Sequence, residues 1–91
     1  MLVPPAFRKL CGYFHQDIGL DSSNPEEWIA FARKHLDEME KVGVKRFLNE
    51  LLNGSHNGAE LQQVWFSTDA EIAFPDDAHL RGFLTTIREM I

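Results

Sequence analysis

The sequence predicts an all-α fold, a compact bundle of about five short helices forming one domain over residues 1–91. Three observations carry that prediction. Apolar residues recur at helical spacing in successive segments, several of those segments open on a recognisable capping residue, and the connections between them are short. A chain of 91 residues has room for one core, and a 44% hydrophobic composition with seven Phe, two Trp and one Tyr can fill it.

The first helix is predicted to begin near Pro4-Pro5, because Phe7, Leu10, Cys11 and Phe14 fall at i, i+3, i+4 and i+7. Gly12 lies within it and lowers its helical propensity. Residues 19–24 read as a loop rich in Asp, Ser and Asn. The second helix opens on Asn24 as N-cap and Pro25 in the first helical position, with Glu26 and Glu27 at the positive end of the dipole. Asn24 and Glu27 also have capping-box spacing. Its apolar stripe is Trp28, Phe31, His35, Leu36 and Met39, which predicts a helix reaching Glu40 or Lys41. Gly43 predicts a break or short turn there. A third helix then buries Val44, Phe47, Leu48, Leu51 and Leu52, and Gly54 stands where a terminating glycine belongs. A fourth follows Asn57, with Glu60 at capping-box spacing and Leu61, Val64 and Trp65 inward. Residues 67–75 lack helical periodicity and predict an extended connector, in which Glu71–Phe74 is the one strand candidate. The last helix starts after Asp76 and Asp77 and buries Leu80, Phe83, Leu84, Ile87 and Ile91.

Composition narrows the function. One cysteine, Cys11, allows neither an intramolecular disulfide nor a thiolate metal cage. No window nears the roughly 18 apolar residues of a membrane helix, and Met1 to Arg8 lacks the pattern of a secretory signal. The chain reads as soluble and cytoplasmic. The net charge of −5 is unevenly spread: residues 47–80 hold six acids and no Lys or Arg over 34 positions. Those acids are Glu50, Glu60, Asp69, Glu71, Asp76 and Asp77. Their field repels a phosphate backbone, which disfavours direct nucleic-acid binding, and attracts a basic protein surface. Acidic loops also serve solubility alone.

Groupings that carry chemistry do not form. His15, His35, His56 and His79 fall in four segments, and His15 with Asp17 supplies two ligands where a metal site needs more. Cys11 takes a core-facing position and behaves there as a small hydrophobe. Gly54 and Gly58 lack the Lys and spacing of a phosphate loop, and capping accounts for Asp76-Asp77. The sequence therefore predicts no enzyme and no cofactor. One stretch carries more information than a helix end needs: Tyr13-Phe14-His15-Gln16-Asp17. The structural reading plugs Tyr13 and Phe14 into the core and uses His15, Gln16 and Asp17 to satisfy backbone groups. The functional reading makes those three polar residues a recognition surface, and the structural one is preferred.

That pentapeptide, early in a short acidic helical chain, resembles the signature of a family of bacterial immunity proteins from contact-dependent growth inhibition systems. The leucine-rich run Phe47-Leu48-Asn49-Glu50-Leu51-Leu52 and the turn Pro75-Asp76-Asp77 leading to Leu80-Arg81-Gly82-Phe83-Leu84 extend the resemblance over most of the chain. It departs at Ile18, where an aromatic is expected, and in the loop Asp21-Ser22-Ser23-Asn24. The resemblance implies a cytoplasmic antidote that binds a cognate toxin domain one to one and blocks it without turnover. Such toxins are often nucleases with basic, phosphate-holding sites. The six acids of residues 47–80 are then the implied toxin-facing residues. Phe66 or Trp65 would supply an aromatic anchor if exposed, with Trp65 expected to face the core. The competing reading is a generic helical adaptor or regulatory subunit unrelated to toxins.

Overall fold

Two prolines start the chain's first helix. In the computed structural model, which describes residues 3–14, 24–54 and 56–91, helix α1 (Pro5–Cys11) is entered from an extended Pro4. Pro5 sits in the first turn, where its missing N–H costs nothing. The helix stops at Gly12, but two tight turns follow: Tyr13 N donates to Leu10 O (3.1 Å) and Phe14 N to Cys11 O (2.9 Å). They carry Phe14 back into the core beside Phe7, Leu10 and Cys11, so the predicted apolar face forms although its last member lies outside the helix.

Helix α2 (Pro25–Arg33) begins as its sequence signals, the Asn24 carboxamide oxygen accepting from Glu26 N at 3.0 Å. It ends well before Glu40, and here the sequence reading needs correction. His35 N and Leu36 N bond back to Ala32 O and Arg33 O, each at 3.1 Å, and Asp37 is extended. Asp37 then caps a new helix, α3 (Glu38–Asn53). Its Oδ1 accepts from Glu40 N at 2.7 Å while Glu40 Oε1 accepts from Asp37 N at 3.0 Å. This reciprocal capping box satisfies two otherwise orphaned donors, which outweighs continuing one helix through residue 36. The predicted break at Gly43 is absent, and α3 runs straight through it. The second correction follows from the first. Phe31, His35 and Met39 were expected inward but are exposed; Leu36 is buried as expected, and Ile29 and Ala32 join it in the core.

Val44, Phe47, Leu48 and Leu51 bury the inner face of α3, with Leu52 packed at its margin. Gly54 ends the helix in an extended conformation, φ −81°, so no left-handed turn requires it. A Cβ there would stand 2.9 Å from Glu50 O and 3.0 Å from the His56 ring, so lack of space excludes a side chain. Helix α4 (Gly58–Phe66) is capped by Asn57, whose Oδ1 accepts from Glu60 N at 2.9 Å. Helix α5 (Asp77–Met90) is capped by Asp76, which accepts from His79 N at 2.8 Å.

Helix α5 is the centre of the bundle. It packs on α2, α3 and α4, while α1 packs on α3. Its Leu80, Phe83, Leu84 and Ile87 are buried, and Ile91 is half-buried against the same core. Among the described residues there are five helices and no strand, and no helix is long and apolar enough to cross a membrane.

Candidate functional site

The connector between α4 and α5 carries the site. Its residues alternate: Thr68, Ala70, Ile72 and Phe74 are turned in, while Ser67, Asp69, Glu71, Ala73 and Pro75 are exposed. That is the period of an extended chain, but no strand pairs with it among the described residues, which corrects the strand candidate. Other groups hold it. Trp65, buried in the core, donates its indole N–H to Ile72 O at 2.7 Å. Glu71 N donates to Phe14 O at 2.9 Å. Thr68 Oγ1 donates to Trp65 O at 2.6 Å and accepts from Ala70 N at 3.3 Å, and Arg8 of α1 donates to Ser67 O at 2.8 Å. Beneath lie the rings of Phe14, Trp65, Phe74 and Phe83, with centroids 5.2 to 6.1 Å apart in five contacts. The connector is thus pinned from several sides while its odd-numbered residues face outward.

The six predicted acids separate into three environments. Asp69 and Glu71 are exposed on the connector, and their carboxylates make no hydrogen bond or ion pair among the described residues. Phe66, at the end of α4 just before them, is 61% exposed, while Trp65 is buried as expected. Glu60, Asp76 and Asp77 gather at the joined N-termini of α4 and α5, and each already has a partner. Glu60 meets His56 Nδ1 at 2.6 Å, so the second half of the predicted Asn57–Glu60 box is replaced by a histidine contact. Asp76 caps α5 and meets His79 Nδ1 at 2.7 Å. Asp77 accepts from Gln62 Nε2 at 3.2 Å and its carboxylate occupies the space where a Cβ on Gly58 would fall. The hydrogen bond from His56 holds the Glu60 carboxyl below its ordinary range, and the His79 backbone and ring do the same for Asp76. Glu50 lies apart, on α3, in a shallow depression that it shares with Lys45 and Arg46.

Of the Tyr13–Asp17 motif, Phe14 is core and Tyr13 is half-buried, stacked on the His35 ring at 4.5 Å and set edge-on to Phe31 at 6.0 Å. His15, Gln16 and Asp17 lie outside the described residues, as does Ile18. Burial pushes the Cys11 thiol up to about 12, against the lowering effects of a hydrogen bond with Thr68 and the charge of Arg8, so at neutral pH it is protonated and inert. No group of three or more His, Cys, Asp or Glu able to hold a metal ion occurs among the described residues.

Sequence reasoning missed the clamp formed by Arg8 and the Trp65 indole. The signal available was the inward alternation of Thr68, Ala70, Ile72 and Phe74 directly after a tryptophan.

A small helical bundle that presents a pinned acidic connector beside an exposed aromatic ring has the build of a protein-binding module. The particular family is given by a family model described as CdiI immunity protein, which matches residues 5–91. The chain belongs to that family of contact-dependent growth inhibition immunity proteins, whose role is to neutralise a cognate toxin. Neither a curated protein nor a solved structure matches it.

Proposed function

We propose that this chain, acting as one domain over residues 1–91, neutralises its toxin by stoichiometric blocking in the cytoplasm, one immunity protein to one toxin domain, and that the toxin domain is a basic nuclease. One observation carries the reading. Within 34 residues that hold six acids and no Lys or Arg, two carboxylates, Asp69 and Glu71, stand on a held connector next to exposed Phe66, unpaired among the described residues. Cations that hold phosphate in a nuclease are attracted by such carboxylates, and a connector already held by its own chain loses little entropy on binding. Phe66 supplies apolar burial at the centre of the contact. Glu60, Asp76 and Asp77 add to the steering field, their carboxylates being engaged within the chain. Glu50, neighboured by Lys45 and Arg46, contributes least. The same field keeps nucleic acid off the immunity protein itself.

The test is kinetic. Asp69→Lys combined with Glu71→Lys should slow association with the toxin domain by about tenfold or more at low salt, with the thermal midpoint unchanged. The toxin's nuclease activity should return in a mixture that the wild-type protein silences. An unaltered association rate would remove the connector from the interface. Asp76→Lys is a poor substitute, because it also removes the cap of α5.

A further inference from the structure

We infer that the outward face of α3 is a self-association surface, on which two copies of this chain pair antiparallel across Met39, Val42 and Gly43. Met39 is 84% and Val42 57% exposed, side by side on a helix whose opposite face is fully buried in the core. Two apolar residues alone would be ordinary surface, but three further features converge on them. Gly43 lies inside a 16-residue helix, where glycine destabilises relative to alanine, and a Cβ at that position would meet nothing within 4 Å. Nothing among the described residues of the monomer requires a glycine there, whereas close approach of a second helix backbone does. Glu38, Met39, Val42, Gly43 and Arg46 line one shallow depression.

Charge selects the occupant. Glu38 stands at one end of this stripe, its side chain 91% exposed and, among the described residues, paired only with its own neighbour Lys41 at 3.3 Å. Lys45 and Arg46 stand at the other end, without an ion pair or hydrogen bond among the described residues. An antiparallel copy crossing near Gly43 places each Glu38 beside the Arg46 of its partner and opposes the two helix dipoles. A parallel copy would set like charges together, and a basic toxin would meet Lys45 and Arg46. The stripe is complementary to itself. A single helix pair about 24 Å long sits at the low end of interface size, so the dimer is weak and reversible.

Sedimentation of the full chain over about 1 to 500 µM should show the average mass rising from 10.5 kDa toward twice that value. Val42→Lys should hold it at the monomer mass throughout, with an unchanged helical circular dichroism spectrum. Glu38→Arg and Arg46→Glu should each weaken association about fivefold or more, and the double variant should restore it. A monomer at every concentration overturns the proposal. So does a dimer indifferent to Val42→Lys, or a double variant weaker than either single one. Loss of toxin binding in Val42→Lys, beside a wild-type chain that is monomeric at every concentration, would assign the face to the toxin instead. This inference does not depend on the nuclease reading, and failure of either leaves the other standing.

Discussion

Trp65 has two tasks that a phenylalanine could only half perform. Its ring fills the core between Phe14, Phe74 and Phe83, and its N–H holds the connector at Ile72 O. Trp65→Phe leaves that half-buried carbonyl without its donor. The expected cost is about 1–3 kcal/mol, or a fall of several degrees in thermal midpoint. Amide exchange should quicken across residues 67–76. An unchanged midpoint would mean that water replaces the indole at no cost. Cys11 gives a second residue-scale prediction. Its thiol is raised from 9.0 to about 12 by burial, so the folded chain binds that proton more tightly than the unfolded one. Stability from this group is full below pH 9.0 and declines as pH rises from there toward 12. Alkylation at pH 9 should be slow in the native protein and fast in denaturant, and Cys11→Ala should flatten the alkaline side of the stability profile. Equal alkylation rates in both states would show that the thiol is open to solvent. At this scale the core was legible: Phe7, Leu10, Phe14, Leu48, Leu84 and Ile87 announce themselves by spacing. Pairings such as Arg8 with Ser67 O were not, because their partners are 59 residues apart and no local pattern links them.

Helix ends decide the shape of this molecule more than helix interiors do. Asp37 and Glu40 divide what the apolar stripe reads as one long helix, and that division turns Phe31, His35 and Met39 outward. Asp37→Ala should therefore cost about 1 kcal/mol, the usual worth of an N-cap. Gly43→Ala should gain about 0.5–1 kcal/mol, since its Cβ meets nothing within 4 Å among the described residues. Thermal melts in dilute solution, where α3 is unpaired, check both. Shifts in the same direction would refute the account of the α2–α3 junction. Asn24, Asn57 and Asp76 were readable as caps because each stands just before a change of periodicity. Asp37 was hidden inside an apparently continuous stripe, where Leu36 serves equally well as the end of one helix or the middle of another.

Across the whole molecule the six acids do not act as one patch. Tertiary contacts employ Glu60, Asp76 and Asp77 within the chain, whereas Asp69 and Glu71 have no hydrogen bond or ion pair through their carboxylates among the described residues and are the two we propose for the toxin. Association with the toxin should accordingly slow steeply with added salt, because steering depends on the summed field over a Debye length of about 10 Å at 0.1 M. Dissociation should respond less, since under the proposed interface it depends on close contacts such as that of exposed Phe66. Replacing Asp69 and Glu71 by neutral Asn and Gln should shallow that salt dependence more than replacing Glu50 by Gln does. Equal effects would indicate that only net charge matters.

Residue types and their spacing were enough to determine that this chain is helical, acidic and built around one core, and the Tyr13–Asp17 motif was enough to indicate its family. These are properties of local periodicity and composition, which neighbouring residues specify among themselves. Which acids are engaged within the chain, which aromatic ring is exposed and where the second helix stops were decided only by tertiary structure. Each of those depends on a competition between bonds of similar strength: Glu60 to Asn57 or to His56, residue 36 as helix or as turn. What settles such a competition is the position of elements distant in sequence, which the spacing of residues does not encode.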